Sequence, residues 1–390
     1  MSWGHAVSRD GVHFSEIGDA IMPCDTFYNI ASGSALVDEH NISGLGSDTI
    51  IAAHTFLCSC QYNGRPEFKG ASKQQILYSR DNGYTFTPFE GSPFMVSPNA
   101  ESWRDPKLLF TDNETLCMAL WETYEDVGCI SFYKTKDCKN FEFCSRIMNF
   151  YECPDLFPLK CEDDGKILWV LYGGSGHYRI GNFENYVFNT IEENLCIDYG
   201  NCVYAAQSFN NYGGNEKRLH VGWLFDKERM DPDKRKEPYK HISTSQSMSL
   251  ITELTLRKTA GGYRVFRKPL EALSTLRNTK ETVVLNGEFK APSPLEITFS
   301  TAENLEIHIG NEFLSYDRES GTVKTSSGAE YRIETSGTLN FRIFADTRSV
   351  EIFINNEIGA TFFNDSKSTP IIFTCASPLD ATVYTLKSIW

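Results

Sequence analysis

Three times before Phe143 the chain ends a strand-like run in the same way. "VSRDGVHF" (Val7 to Phe14), "YSRDNGYTF" (Tyr78 to Phe86) and "YKTKDCKNFEF" (Tyr133 to Phe143) each pass through Ser or Thr and an Asp in a turn, then open the next run on an aromatic residue. Aligned on Asp10, Asp81 and Asp137, the copies stand 71 and 56 residues apart. Such periods suit a unit of about four strands and predict a propeller. Three unrelated hairpins with a shared turn chemistry are the plainer alternative. Apolar strand-like runs continue between and after the copies, among them "LLFTDNETLCMALWETY", "KILWVLY", "NCVYAAQSF" and "RLHVGWLF", broken by Gly, Asn and Asp turns.

The texture changes further on. "DKERMDPDKRKEPYKH" (Asp226 to His241) reads as a solvated loop, and "RVFRKPLEALSTLR" (Arg264 to Arg277) has helical periodicity. From about Val283 short alternating strands dominate, as in "LEITFS", "LEIHIG", "LNFRIFA" and "SVEIFIN", the pattern of an antiparallel sandwich. The fold class is therefore all-β, with a propeller over residues 1–277 and a sandwich over 278–390. At 390 residues two domains are the default, and an aromatic share of 13% suits pleated, half-buried surfaces.

Charge and cysteine usage remove several classes. A net charge of -14 leaves no basic face for a phosphate backbone, so nucleic acid is excluded as a partner. No apolar run nears the roughly 20 residues of a membrane helix, so no membrane partner is expected. The 12 cysteines are spread from Cys24 to Cys375 without a CxxC pair. Cys58 and Cys60 of "FLCSCQY" alternate onto one face of a strand and read as buried thiols, not zinc ligands. Free thiols point to a reducing compartment, and "MSWGHAVSRDGVHF" lacks the apolar core of a signal peptide. The chain as it stands is placed in the cytoplasm, with secretion left open should a leader precede it.

Chemistry concentrates in two places. In "ESWRDPKLLF" an adjacent Arg104 and Asp105 precede Pro106 and an apolar run. The proline predicts an extended Asp105 whose carboxylate projects from a strand start, and Arg104 adds a fork of donors for a hydroxyl-rich or anionic ligand. Glu152 in "NFYECPDLFPL" is set in the same way, before Pro154 and an apolar stretch. Two carboxylates around a propeller axis fit acid-assisted glycoside cleavage, one giving a proton and one facing the developing oxocarbenium ion. Two turn carboxylates beside prolines are the bland alternative.

"WGHAVSRDGVHF", "SGSALVD", "RDPKLLF", "YECPDLF", "DYGNCVYAAQSF" and "FRIFADTRSVEIFIN" resemble, in order and over nearly the whole chain, motifs of glycoside hydrolase family 32. That family holds invertases, inulinases, levanases and related β-fructofuranosidases. The resemblance implies a five-bladed β-propeller, its first blade incomplete here, followed by a C-terminal β-sandwich. It implies a retaining mechanism with Glu152 as general acid/base and Asp105 as the transition-state stabiliser that holds fructosyl hydroxyls. Arg104 would bind substrate, Ser32 of "SGSALVD" would line the fructose pocket, and neither a metal nor an organic cofactor would be needed. The partner would be a small or oligosaccharide β-fructoside.

The chain departs from that pattern at the nucleophile. The family carries a nucleophilic Asp in a W-x-N-D-P-N-G stretch upstream of WGHAVS, whereas Trp3 here is preceded by two residues. The nucleophile and part of the first blade are thus expected to be missing from this chain, and "MDPDK" (Met230 to Lys234) reads as an Asp-Pro turn. Ala31 stands where an aromatic commonly precedes SGSA, Ile251 and Thr252 stand where Pro-Arg is usual, and Trp3 and His5 read as packing groups. Two expectations compete: a β-fructofuranosidase whose nucleophile segment is absent here, and an inactive derivative that binds fructosides or a protein. A sialidase-type propeller, suggested by "SRDNGYTF", is set aside because no arginine cluster surrounds Arg104. An open first blade predicts low stability or self-association.

Overall fold

The computed structural model describes residues 2–23, 30–56, 72–92, 94–96, 102–212, 214, 216–225, 246–290, 294–334, 337–364 and 370–389. Cys24, Cys58, Cys60 and the "MDPDK" stretch lie outside the described residues.

Five antiparallel sheets form the blades of a propeller. The first holds β1 (Trp3–Ser8) and β2 (Phe14–Ile21). The second runs β3 (Ile30–Val37), β4 (Ile50–Phe56), β5 (Lys73–Ser79), with β6 (Thr87–Pro88) and β7 (Met95–Val96) both on β5. The third runs β8 (Trp103–Phe110), β9 (Leu116–Tyr124), β10 (Val127–Thr135), β11 (Glu142–Met148). The fourth runs β12 (Asp155–Lys160), β13 (Ile167–Tyr172), β14 (His177–Glu184), β15 (Val187–Cys196). The fifth runs β16 (Val203–Ser208), β17 (Arg218–Leu224), β19 (Thr252–Thr259), β20 (Gly262–Pro269), with β18 (Ser247–Met248) on β17.

The repeated phrase is one hairpin geometry. Asp10 Oδ1 accepts from the Val12 and His13 amides at 2.9 and 2.8 Å. Asp81 Oδ1 accepts from the Thr85 amide at 2.9 Å, and Asp137 Oδ1 from the Lys139 and Asn140 amides at 2.9 and 2.8 Å. In the second and third blades this turn joins the third strand to the fourth, β5 to β6 and β10 to β11. By that equivalence β1 and β2 hold the outer places of the first blade, and among the described residues its inner places are unfilled.

Blades pack face to face, so their middle strands are buried on both sides and read as continuous apolar runs. Leu109, Ile130 and Phe132 of the third blade share one cluster with Leu156, Leu171 and Phe183 of the fourth. After β20 the helical spacing expected over Arg264–Arg277 is only partly realised. Val265 and Phe266 are buried on opposite faces of a strand paired along its length with β19, and only Glu271–Leu276 winds, as a 3-10 helix. The three-residue spacing of Leu270, Leu273 and Leu276 belongs to that short helix; Pro269 ends the strand before it.

Two six-stranded antiparallel sheets then form the sandwich. Their largest core joins Ile297, Phe341, Ile343 and Ile352 of one sheet to Ile307, Leu314 and Phe373 of the other. A buried ionic cluster ties sandwich to propeller. Arg267 on β20 donates to Asp198 Oδ2 at 2.5 Å, to Glu351 Oε2 at 3.1 Å and to Thr361 Oγ1 at 3.0 Å. Beside it the Tyr199 amide donates to Gly359 O at 2.9 Å and the Asn201 amide to Thr361 O at 3.1 Å. Gly200 is required there, because a Cβ would stand 1.9 Å from Thr361 O. The nine described cysteines are free, five of them buried, and no helix among the described residues is long and apolar enough to cross a membrane.

Candidate active site

Three neighbouring blades bring irregular backbone to one place. Asp105 on β8 has φ 62, Cys153 just before β12 has φ 50, and Ala205 on β16 has φ 48. Register shifts accompany two of them, between Arg104 and Lys107 and between Tyr204 and Gln207. Such bulges re-aim side chains that a regular strand would point elsewhere. The extended Asp105 expected from Pro106 is therefore corrected: the carboxylate does leave a strand start, but from a left-handed residue that the bulge and its hydrogen bonds hold against the proline's preference.

These bulges border a cavity of about 270 Å³ lined by Trp3, Ser32, Gly33, Asp105, Cys153 and Gln207, among others. Arg104 Nε and Nη2 donate to Glu152 Oε2 at 3.0 and 2.6 Å, and the Tyr204 hydroxyl donates to Oε1. Both carboxyl oxygens thus meet fixed donors. Arg104 is itself held, its guanidinium 4.1 Å from the Trp121 ring centre and its Nε 3.8 Å from Asp105 Oδ2. Asp105 Oδ2 accepts from the Cys153 amide at 3.1 Å, while the Asp105 amide donates to Thr55 Oγ1 at 3.0 Å. Gly174 binds the Glu152 carbonyl through its amide at 2.7 Å and the Ala205 amide through its carbonyl at 2.8 Å. The fourth blade thereby clamps Glu152 to β16.

Burial sets the electrostatics. It lifts the Asp105 carboxyl above the usual range, opposed by the Cys153 amide and Arg104 and reinforced by Glu152. Burial also raises the Cys153 thiol and the Tyr204 phenol, the latter further by its bond to Glu152, so both stay protonated donors at neutral pH. Below the cavity the inner strands are cross-linked: Lys107 Nζ lies 2.9 Å from Asp155 Oδ1 and donates to Ser208 O at 2.8 Å, and the Ser208 amide donates to Asp155 Oδ2 at 2.6 Å. Lys107 and Asp155 are 2% and 0% exposed, which makes this pair a dry floor.

Arg104, Asp105 and Glu152 thus come together, and Ser32 lies exposed at the rim of the same cavity. Gly33 beside it lets β3 approach β4, since a Cβ there would stand 1.9 Å from Ala53 O. Trp3 packs as expected, against the cluster of Ile21, Ile30, Ala52 and Leu77, and it also lines the cavity, its Nε1 donating to Ala31 O at 2.9 Å. His5 does pack, its ring lying against the Gly83 turn. Tyr204, Gln207 and Trp121 went unassigned in the sequence. Tyr204 and Gln207 sit inside the "DYGNCVYAAQSF" stretch, which offered the signal, whereas nothing local marks Trp121. Among the described residues that line the cavity, Asp105 is the sole carboxylate. The arrangement holds Glu152 between the Arg104 and Tyr204 donors, beside a buried second carboxylate.

A model described as the glycosyl hydrolases family 32 N-terminal domain matches residues 1–269. The chain is 28% identical to a levanase of Bacillus subtilis (strain 168) over 458 aligned residues, covering 100% of this chain and 65% of that protein. It is 28% identical over 295 residues to a levanbiose-producing levanase of the same organism, covering 70% of this chain and 54% of that protein. The chain thus spans less than two thirds of the length of these curated relatives. Among solved structures, an exo-inulinase from Aspergillus awamori superposes with a TM-score of 0.79 at 20% identity, covering 100% of this chain and 90% of that one. A β-fructofuranosidase from Schwanniomyces occidentalis complexed with fructosyl-erythritol gives 0.76 at 20% identity, covering 99% and 89%. The structural likeness shows the fold.

Proposed function

The chain belongs to glycosyl hydrolase family 32, and from that premise we propose that its axial site serves the hydrolysis of terminal β-D-fructofuranosides by a retaining mechanism. The observation that carries this reading is the joint hold of Arg104 and Tyr204 on Glu152, next to buried Asp105. In this reading Glu152 as the neutral acid protonates the glycosidic oxygen as the C–O bond breaks. It then takes a proton from the water that releases fructose. Asp105 accepts hydrogen bonds from the fructosyl hydroxyls and stabilises positive charge at the anomeric carbon, with Arg104 and Ser32 binding the sugar. The carboxylate that would form the covalent intermediate is assigned to no described residue.

The alternative reading is that these residues bind a fructoside without cleaving it. One experiment separates them. Purified chain is incubated with sucrose, inulin and levan while released fructose is measured, and fructose binding is followed by calorimetry. Fructose release abolished by Glu152→Gln supports hydrolysis. Binding without release supports the second reading, and neither binding nor release refutes both.

A further inference from the structure

Asp105 sits at φ 62, in the left-handed region, although the proline after it favours an extended residue. Something outside β8 must hold it there. In the register of β8 on β9, Arg104 opposes Trp121 and Lys107 opposes Ala119, so Asp105 and Pro106 together face Leu120. The Asp105 amide turns out of this bulge towards the second blade, to Thr55 Oγ1. We infer that Thr55 on β4 and Gln74 on β5 are positioning residues for Asp105, fixing from the second blade the bulge that aims its carboxylate into the axial cavity. The inference rests on the proposed role of Asp105 in holding fructosyl hydroxyls.

The hydrogen bonds form a relay with one direction. The Asp105 amide donates to Thr55 Oγ1 at 3.0 Å, Thr55 Oγ1 to Gln74 Oε1 at 2.9 Å, and Gln74 Nε2 to Trp103 O at 3.1 Å. Its ends fix that direction. A backbone amide can only donate and a backbone carbonyl can only accept, so Gln74 turns its nitrogen to Trp103 and its oxygen to Thr55. The Thr55 hydroxyl then gives its proton to Gln74 and keeps a lone pair for Asp105. Both ends of the relay lie on β8, on either side of Arg104, so the backbone of the residue that grips Glu152 is held as well. Thr55 and Gln74 are both 0% exposed, and their neighbours show that this buried polarity is local. Along one face of β4 and β5 the cross-strand pairs are Ile51 with Tyr78, Ala53 with Ile76, and Thr55 with Gln74. The first two pairs pack into an apolar cluster with Leu108, Met118 and Leu120 of the third blade. Only the pair that meets the bulge departs from that character. A buried hydroxyl and amide carry a desolvation cost that apolar side chains would avoid, and here their hydrogen bonds go to the bulge. From the opposite side the Cys153 amide meets Asp105 Oδ2 at 3.1 Å. The second blade thus holds the Asp105 backbone and the fourth holds its carboxylate.

Thr55→Val keeps the shape of the side chain and removes its hydroxyl. The Asp105 amide is then buried without its acceptor, and the residue is released towards the extended region that Pro106 favours, which turns the carboxylate away. Fructose affinity, measured by calorimetric titration, should fall by about tenfold. Thr55→Ser restores the hydroxyl and should restore the affinity. Gln74→Met, which breaks the relay from its other end, should weaken binding in the same way and carries the test if Thr55→Val does not fold. Ile76→Ala separates positioning from general loosening: it opens the same face without touching the relay, so it should lower the melting temperature by circular dichroism and leave the affinity of the folded chain unchanged. Affinity retained when the relay is broken, or lost equally in Ile76→Ala, overturns the inference and leaves the fructoside reading standing. Failure of the unaltered chain to bind fructose overturns both.

Discussion

Arg267→Met should cost this chain about 4 kcal/mol of stability at slightly alkaline pH. The arginine is 2% exposed and pairs with two carboxylates that are 5% and 2% exposed. Removing it leaves Asp198 with the Thr361 amide and hydroxyl and the Gly200 amide, but leaves Glu351 with the Leu250 amide. Breaking a buried pair from one side costs about 3–5 kcal/mol because the stranded charge stays desolvated. At about 2.1 cal/mol/K of unfolding entropy per residue, a chain of 390 residues melting as one unit should lose about 5 °C. The loss depends on pH in a defined direction. Burial already raises the Glu351 carboxyl to about 7, with Arg267 pulling the other way. The folded form therefore binds this proton more tightly than the unfolded form, and stability from this group falls as pH rises from about 4.5 to about 7. Without Arg267 that window extends upwards, so the deficit is smaller at about pH 5.5 than at about pH 8.5. Calorimetric melting at both pH values reads this out, and replacing all three charged residues by apolar ones of similar volume should recover most of the loss. An unchanged melting temperature at the higher pH, or a larger deficit at the lower one, would refute the reasoning.

Gly33→Ala places a methyl group 1.9 Å from Ala53 O and 2.7 Å from His54 Cα, both backbone atoms that cannot swing away. It should lower stability by about 3 kcal/mol or more and weaken fructose binding, whereas Gly4→Ala, with nothing within 4 Å, should leave the melting temperature nearly unchanged. Lys107→Met leaves Asp155 buried against a single amide and should cost about 3–5 kcal/mol in urea unfolding; a second change, Asp155→Leu, should restore part of it. Among the described residues β1 pairs only with β2, so light scattering of the purified chain should show association that grows with concentration. A monomer at all concentrations would contradict the open-edge reasoning.

The propeller was legible because its turns are local. An Asp that caps its own hairpin needs only neighbours in sequence, so Asp10, Asp81 and Asp137 announced three hairpins and their equivalence. Sandwich strands were legible for the same kind of reason, alternation along a single strand. Asp105 and Glu152 stood out through their prolines and the resemblance that followed. Yet the positive φ of Asp105 was hidden, because a bulge depends on the partner strand and Pro106 argued the other way. Trp121 was hidden too. It sits in the run "LCMALWETY", whose apolar character says that β9 is buried, not that one indole carries Arg104 on its face.

What the sequence left most obscure is why a β-sandwich is attached at all, and the segment from Asp198 to Tyr204 supplies a physical answer. Asp198 is held by Arg267 and Thr361, and the Tyr199 and Asn201 amides bond to backbone carbonyls of the sandwich. The Cys202 thiol reaches Thr361 O at 3.2 Å. Two residues later Tyr204 turns its hydroxyl to Glu152, and the Ala205 amide bonds to Gly174 O. The strand carrying one of the two donors on Glu152 thus enters the propeller already fixed from outside it. Removing the sandwich would take Glu351 and Thr361 away from the Arg267–Asp198 pair and release this entry segment. A preorganised donor works only as well as the backbone behind it, and a shift of about 1 Å at a catalytic group can cost about a hundredfold in rate. The sandwich therefore belongs to the site's positioning apparatus as much as to the fold, although none of its residues lines the axial cavity.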